Sequence, residues 1–200
     1  MMDVKYWEEY YTNTKNLDMS PPSLFAQWLK NNLEKHLVHT IIDVGCGTGR
    51  DTYYLSHPRE GWPVKQVVGL DCAVQPQNLG NATFIKDDVK NISGTYDLLY
   101  SRFSLHSIPV EAEDELLEYA LKNCRYVAIE CRTKNDNLND GTDRVETSYA
   151  KAHYRRFIDS DELTTKMVKM GFSILYVSES NEFAPFGEQR PSCLRIVASI

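Results

Sequence analysis

Short apolar runs separated by polar or helix-forming segments divide this chain into alternating elements. Apolar runs predict strands at residues 40–44, 64–70, 82–85, 96–100, 126–130, 172–178 and 194–199. Apolar residues at helical spacing predict helices at 3–12, 21–35, 50–56, 111–122 and 160–170. This alternation predicts an α/β fold, with a doubly wound and mostly parallel seven-stranded sheet. The last two strands have no helix between them, so we expect a C-terminal antiparallel hairpin.

Two connections are informative because of their polar and turn-forming residues. The link before residue 82 contains Pro76, Asn78 and Gly80 and is short, so it predicts a reduced turn of helix. Residues 132–148 are rich in asparagine and aspartate, which predicts a loop. Residues 3–12 place several aromatic rings on one side of a helix, either as packing at the domain edge or as a lid.

The stretch 41–51, which reads I-I-D-V-G-C-G-T-G-R-D, is where a buried strand turns sharply into a helix. Glycine suits such a turn because it permits positive φ and lets a bulky ligand lie against bare backbone. We therefore predict a nucleotide-like cofactor at the carboxyl edge of the sheet. The G-x-G-x-x-G pattern of dinucleotide enzymes would require glycine at position 50, which is Arg50, and this disfavours a nicotinamide dehydrogenase.

Composition restricts the partners and the compartment. The formal net charge of −6 disfavours a general nucleic-acid binder, and no long apolar run predicts a membrane span. The five cysteines have no C-x-x-C pair and no zinc-like spacing, and no other ligand cluster has convincing metal spacing. We expect buried, reduced thiols and a cytoplasmic location.

Several motifs together resemble the class I S-adenosylmethionine-dependent methyltransferases across residues 40–200. They are D-V-G-C-G-T-G-R-D, the acid Asp71 that ends the second strand, the pair Asp87-Asp88 after the third, and the closing hairpin. The resemblance implies one methyltransferase domain, with a helical cap over residues 1–36 and a Rossmann-like core over residues 37–200. The shorter motifs Y-W-E-E-Y-Y, P-P-S-L-F-A, S-R-F-S-L-H-S-I and H-Y-R-R-F are similar to a bacterial-type group that occurs with polysaccharide- and sugar-modifying genes.

This resemblance implies S-adenosyl-L-methionine as cofactor and S-adenosyl-L-homocysteine as product. Asp71 would accept both ribose hydroxyls, a bidentate role that suits a carboxylate. Asp88 would accept from the adenine amino group, with Asp87 as the alternative if the loop is shifted by one residue. The full set of expected cofactor contacts is Asp43, Gly45, Cys46, Gly47, Gly49, Arg50, Asp71, Cys72, Asp87, Asp88, Val89, Ser101 and Tyr11.

The expected acceptor is a sugar, glycan or nucleotide-sugar hydroxyl, which reacts better when a base removes its proton. His106 lies just beyond the fourth strand, at the carboxyl edge, and is the candidate base; the alternative is a packing histidine. Arginine forks bind carboxylates and phosphates, so an acidic or phosphorylated sugar is expected. The expected acceptor contacts are Arg102, His106, Arg132, His153 and Arg155.

Other readings of the same residues stay open. The acceptor could be a small metabolite, an oxyanion or a phosphoramidate-type group, with the same cofactor. The arginines could instead pair with nearby acids such as Asp159 and Asp161. The chain could also be a non-catalytic cofactor-binding subunit, although the intact glycine turn and acids argue against loss of the site.

Overall fold

A computed structural model describes residues 4–13, 21–33, 38–58, 61–73, 77–147 and 150–200. The helices are α1 (Val4–Asn13), α2 (Leu24–Asn32), α3 (Arg50–Ser56), α4 (Val110–Asn123) and α5 (Ser160–Met170). The strands are β1 (Thr40–Val44), β2 (Gln66–Asp71), β3 (Gln77–Leu79), β4 (Ala82–Lys86), β5 (Tyr96–Arg102), β6 (Cys124–Arg132), β7 (Arg144–Thr147), β8 (Ala150–Tyr154), β9 (Ser173–Ser180) and β10 (Cys193–Ser199).

Eight of the described strands form one sheet in the order β3-β4-β2-β1-β5-β6-β10-β9. Strands β4, β2, β1, β5 and β6 are parallel, whereas β10 runs antiparallel between β6 and β9. The predicted doubly wound, mostly parallel sheet with a closing antiparallel hairpin is therefore confirmed. The sheet order reverses at β1, so the carboxyl ends of β1 and β5 border a crevice of the kind in which α/β proteins bind ligands.

The segment before β4 differs from its prediction as a turn of helix. Gln77–Leu79 is an edge strand that pairs antiparallel with β4, and Gly80 turns the chain between them with φ of 60°. The segment is too short for a crossover helix, so the chain reaches the sheet edge as a hairpin. This strand is the eighth member of the sheet. Pro76 lies outside the described residues.

The sheet is covered on both faces because consecutive strand residues point to opposite sides. Ile41 and Leu98 pack with α2 and α3 in one apolar cluster. Ile42 and Leu99, their immediate neighbours, pack with α4 and α5 in another. Helix α2 therefore belongs to the core of the domain, and only α1 of the described N-terminal residues lies apart from it.

The start of α2 is set by a residue that the sequence pattern did not indicate. The predicted helix began at residue 21, but α2 begins at Leu24, after the two prolines. Its N-cap is Ser23, whose hydroxyl accepts a hydrogen bond from the Ala26 N–H at 3.0 Å.

The region predicted as one loop, residues 132–148, contains the first strand of a separate hairpin. β7 and β8 pair antiparallel as a two-stranded sheet beside the main one. The five cysteines are free thiols, of which Cys72 is half-buried and the other four are buried. Within the described part of the chain, no helix has both the length and the apolar character needed to cross a membrane.

Candidate active site at the carboxyl edge of the sheet

A cavity of about 1160 Å³ opens at the carboxyl ends of β1, β2 and β5. We call the first group of its lining residues the glycine side: Asp43, Val44, Gly45, Cys46, Gly47, Thr48, Arg50, Asp51, Leu70, Asp71, Cys72, Asp87 and Val89. We call the second group the arginine side: Arg102, Phe103, His106, Ser107, Ile108, Arg155, Phe183, Ala184, Pro185 and Phe186. The arginine side is larger than the set of acceptor contacts expected from the sequence.

The glycine turn is shaped by one close neighbour at each glycine. Gly45 and Gly47 have φ of 74° and 55°, which disfavours a side chain at either position. A Cβ atom added to Gly45 would lie 1.9 Å from Ser104 Oγ, and one added to Gly47 would lie 2.5 Å from the Tyr11 hydroxyl. Gly49 differs from its expected role, because the Phe84 ring covers it and it is not among the described lining residues.

Asp71 joins the end of β2 to the glycine turn. Its carboxylate accepts hydrogen bonds from Gly47 N–H at 3.0 Å and from Ala73 N–H at 2.8 Å. Burial raises the pKa of the Asp71 carboxyl, although both of these N–H bonds act to lower it. Asp71 also lines the cavity, so a carboxylate stands where a hydroxyl-bearing ligand would meet it.

Asp43 lies beneath the glycine turn and is 2% exposed. It accepts a hydrogen bond from Thr52 Oγ1 at 2.6 Å. Burial raises the pKa of the Asp43 carboxyl to about 8, helped by the nearby Asp51 and Asp71. A cationic group bound beside Asp43 would favour the ionised form of its carboxyl.

Of the paired acids, Asp87 and not Asp88 lines the cavity among the described residues. The Asp88 side chain caps the 3₁₀ helix Val89–Asn91 by accepting from Lys90 N–H at 3.0 Å. Asp87 Oδ1 accepts from Asp88 N–H and Asn91 Nδ2, both at 2.7 Å. Asp88, the preferred adenine contact, therefore does not have its expected position at the cavity, whereas the alternative Asp87 does, with Val89 beside it.

Ser101 is also corrected, and strand alternation is the reason. Its neighbours Tyr100 and Arg102 line the cavity, so Ser101 points to the other face of the sheet. It is fully buried, and its hydroxyl has no hydrogen-bond partner in the described structure. Ser104 does line the cavity, and it donates to Val44 O at 2.7 Å and so joins the end of β5 to the glycine turn.

Three lining residues that the sequence did not indicate form a buried network. Asp51 accepts from Ser23 N–H at 2.7 Å, from Ser23 Oγ at 2.6 Å and from the Tyr100 hydroxyl at 2.8 Å. These contacts join α2, α3 and β5 at the cavity wall. Only the tertiary structure brings Ser23 and Tyr100 to Asp51, which explains why no local signal pointed to them.

Helix α1 supplies aromatic rings to the same cavity. Trp7, Tyr10 and Tyr11 line it, and Glu8 pairs with Lys86 at 2.8 Å. Burial raises the pKa of the Tyr11 hydroxyl well above its ordinary value, so Tyr11 stays a protonated donor beside Gly47. Of the two interpretations of this aromatic segment, its position over the cavity favours the lid.

His106 is 1% exposed and lines the arginine side. The backbone N–H of Arg132 donates to His106 Nδ1 at 3.0 Å. The neutral ring therefore carries its proton on Nε2. Burial, with Arg155, Arg132 and Arg156 nearby, lowers the pKa of His106 well below its usual value. This ring is a neutral donor in a positive field, which is the opposite of what the expected general base requires.

Arg102 lines the cavity and belongs to a buried group of three charges. Its Nε donates to Glu130 Oε1 at 2.8 Å, and Arg195 Nε donates to Glu130 Oε2 at 2.6 Å. These three side chains carry a net charge of one positive unit. Phe103, beside Arg102, has φ of 61° and is the one non-glycine residue with positive φ among the described residues. Its ring lies 4.2 Å from the Arg102 guanidinium carbon.

Arg132 and His153 do not have their expected direct position at the cavity. Arg132 Nη1 donates to both carboxylate oxygens of Asp136, at 3.2 and 3.0 Å, and is not among the described lining residues. His153 is 2% exposed and lies behind Arg155, which does line the cavity. Among the described residues, no three His, Cys, Asp or Glu side chains form a group that could hold a metal ion.

The chain matches the methyltransferase domain family over residues 18–177. Over 75 residues it is 36% identical to the trans-aconitate 2-methyltransferase of Deinococcus radiodurans; the match spans 34% of this chain and 28% of that enzyme, less than a third of its length.

Two solved structures share the fold. The Burkholderia thailandensis 1,6-didemethyltoxoflavin-N1-methyltransferase, with bound 1,6-didemethyltoxoflavin and S-adenosylhomocysteine, superposes with a TM-score of 0.65 at 18% identity, covering 98% of this chain and 83% of that one. A methyltransferase in complex with the Haloferax volcanii Trm112 methyltransferase activator superposes with a TM-score of 0.71 at 12% identity, covering 98% and 96%.

The chain therefore belongs to the methyltransferase domain family. The residues of the glycine side fit S-adenosylmethionine, the cofactor expected from the sequence: Gly45 and Gly47 line the cavity without a side chain, and the carboxylates of Asp71 and Asp87 line the same cavity.

Proposed function

We propose that the protein is an O-methyltransferase that methylates an oxygen which is already anionic, the carboxylate of a small acceptor with an apolar part. The cofactor would lie on the glycine side, with Asp71 accepting from the ribose hydroxyls, Asp87 and Val89 at the adenine, and Asp43 near the methionyl amino group. The acceptor would lie on the arginine side. When bound, S-adenosylmethionine supplies a sulfonium methyl group for in-line displacement by a nucleophile held close to it.

This proposal rests on the hydrogen bonding and the protonation of His106. It is the one titratable base among the described residues of the arginine side, and its Nδ1 is already occupied by the Arg132 N–H. A sugar hydroxyl would need a base at this point, whereas a carboxylate is a nucleophile without one. His106 Nε2–H would then donate to the acceptor and orient it.

The charges on the arginine side support an anion over a cation. The arginines that lower the pKa of His106 disfavour a proton there and for the same reason attract a carboxylate. An acceptor amine would be repelled in its ammonium form. The cavity also offers the apolar side chains of Phe103, Ile108 and Phe186 to the rest of the acceptor.

Two further observations concern the size of the cavity and the class of the acceptor. About 1160 Å³ is above the usual range of roughly 300–1,000 Å³ for one ligand pocket, which leaves room for a small acceptor beside the cofactor. The Deinococcus radiodurans relative is named for a carboxylic acid, trans-aconitate. A sugar or glycan hydroxyl, expected from the shorter motifs, stays a prediction that the same experiment tests.

The test is a methyl-labelling screen with purified protein and labelled cofactor. The acceptors are di- and tricarboxylates including trans-aconitate, the matched pair glucose and glucuronate, and small amines. We expect label in carboxylates and not in glucose, and release of that label by mild alkali, since methyl esters hydrolyse whereas methyl ethers and N-methyl groups do not. Alkali-stable label on a hydroxyl or an amine would overturn the proposal.

A variant separates the donor role of His106 from the role of a base. Replacing His106 with glutamine keeps a side-chain N–H donor, so we expect activity on the best carboxylate acceptor to fall by no more than roughly tenfold. Loss of a general base costs about 10²- to 10⁴-fold, and a loss of that size would support the base. His57→Gln, at an exposed histidine, is the matched control.

A further inference from the structure

Helix α1 and the β7–β8 hairpin meet at a pair of stacked rings. The Tyr6 ring lies 4.4 Å from the His153 ring, with an interplanar angle of 10°. Trp7 contacts the same histidine edge-on at 5.4 Å and 69°. His153 is 2% exposed, so these two aromatic rings cover a buried histidine that belongs to a different element.

The far side of His153 contacts a residue of the cavity. His153 Nε2 lies 3.1 Å from Arg155 Nη2. A guanidinium only donates, so the histidine nitrogen is the acceptor and the neutral ring carries its proton on Nδ1. Arg155 lines the arginine side of the cavity. A row of contacts therefore runs from Tyr6 through His153 to Arg155.

We propose that Tyr6 and His153 are positioning residues, which hold the Arg155 guanidinium in the orientation that binds the carboxylate of the acceptor. This inference rests on the proposed function. An arginine side chain has many rotamers, and fixing it beforehand removes an entropic cost from acceptor binding. His153 fixes the guanidinium by accepting from it, and Tyr6 fixes the histidine ring by stacking.

The same row gives α1 two separate tasks. Tyr11 lies beside Gly47 on the glycine side, whereas Tyr6 acts on the arginine side through His153. The two residues are on one helix, so a change at Tyr6 should affect the acceptor and leave the cofactor largely unaffected. A merely structural helix would give no such separation.

The first test compares four variants for acceptor KM and cofactor KM. With the best carboxylate acceptor of the labelling screen, His153→Leu and Tyr6→Ala should raise the acceptor KM by roughly tenfold or more and change the cofactor KM by less than about twofold. His153→Gln keeps an acceptor oxygen and Tyr6→Phe keeps the stack, so both should remain close to the wild type. Equal effects on the two KM values would overturn the proposal.

The second test needs no acceptor and no turnover. In protein labelled with ¹⁵N-arginine and saturated with S-adenosylhomocysteine, the Arg155 side-chain N–H signals are identified by their loss in Arg155→Lys. We expect these signals to shift and to exchange faster in His153→Leu and Tyr6→Ala, with recovery in His153→Gln. Unchanged Arg155 signals in folded His153→Leu would overturn the positioning role. Failure of the proposed function would be seen separately, as absence of alkali-labile label in the screen.

Discussion

Asp43 is a carboxyl group that the fold keeps largely protonated near neutral pH. Its pKa is about 8 in the folded chain, because burial disfavours the charged form, against an ordinary value of 3.8. Between these two pH values the folded state binds more protons than the unfolded state. Stability contributed by this residue is therefore greatest at the acid end and is lost as pH rises toward 8.

The difference between wild type and Asp43→Asn isolates this effect. Asparagine keeps an oxygen for the Thr52 hydroxyl and does not titrate. We expect the free energy of unfolding of the variant, relative to wild type, to rise with pH between 5 and 8, by up to about 1.4 kcal/mol per pH unit. Urea denaturation at four pH values measures it, with exposed Asp140→Asn as the control. A difference that stays constant with pH would contradict the prediction.

At the level of residues, the sequence predicted the types of residue around the cofactor better than it predicted their exact positions. Asp71 and Asp43 line the cavity as expected, because each lies at the carboxyl end of a buried strand. Ser101 and Asp88 were each one position from a residue that lines it. Tertiary contacts decide which residue at a strand end points into the cavity and which residue next to a one-turn 3₁₀ helix lines it. The local sequence does not encode these contacts.

The charged residues show a second limit of prediction from the sequence. Arg132 was expected at the acceptor, but its side chain binds Asp136 and its backbone N–H binds His106. A sequence motif can indicate that an arginine lies near a site, yet its partner is chosen by the fold. The tautomer of His106 follows from one backbone hydrogen bond and had no sequence signal.

The glycine turn is specified by elements that lie far from it in the chain. Gly49 has φ of 79°, and a Cβ atom there would lie 2.2 Å from Cε1 of Phe84 on β4. Gly80 has φ of 60°, and a Cβ atom added there would have no neighbour within 4 Å. The two glycines therefore differ mainly in steric contact, and both carry the strain of positive φ.

Alanine substitutions separate the cost of backbone strain from the cost of steric contact with Phe84. Gly80→Ala should cost about 1–2 kcal/mol of unfolding free energy from backbone strain alone. Gly49→Ala should cost more, by roughly 1–3 kcal/mol, because the Phe84 ring must also move. Denaturant unfolding of both variants measures the difference, and Phe84→Leu combined with Gly49→Ala should recover part of it. Equal costs at the two glycines would show that Phe84 does not restrict the turn.

The prediction of secondary-structure elements succeeded for long apolar patterns and failed for short paired strands. β1, β5 and α5 match their apolar runs, and α5 ends at Met170, the residue predicted as its end. β3 and β7 were missed because polar strands of three or four residues carry little periodic signal. Their pairing partners, not their composition, make them strands.

At the scale of the whole molecule, an acidic chain surrounds a locally basic site. The formal net charge is −6, yet burial and three neighbouring arginines lower the pKa of His106. The net charge of the whole chain therefore did not indicate the charge of the site. These arginines are Arg132 at the end of β6 and Arg155 and Arg156 just after β8. The closing hairpin contributes to the acceptor region through the loop residues Phe183 and Phe186, which line the cavity.

Glu130 joins three strands next to the cavity. It is fully buried and accepts from Arg102 on β5 and from Arg195 on β10. Arg195 also donates to Phe183 O at 2.9 Å, which holds the loop that carries Phe183–Phe186 at the cavity. The charges at the site and the docking of the hairpin therefore depend on one carboxylate.

Removing Glu130 and removing Arg195 should lower the free energy of unfolding by different amounts. Glu130→Leu leaves two buried guanidinium groups without their carboxylate, so we expect a loss of about 3–5 kcal/mol in unfolding free energy. Arg195→Leu leaves Glu130 paired with Arg102 and should cost less. The double variant should cost less than the sum of the two single losses, since the groups act as one network. Urea denaturation at pH 7 gives these values.

The matched control is Lys122→Leu, which removes an exposed pair with Glu118. Both side chains of that pair are more than half exposed, at 71% and 61%, so the change should be within about 0.5 kcal/mol. If Glu130→Leu were as mild as this control, the buried charges would not hold the hairpin. The loop that carries Phe183 would then have to be held by its own contacts.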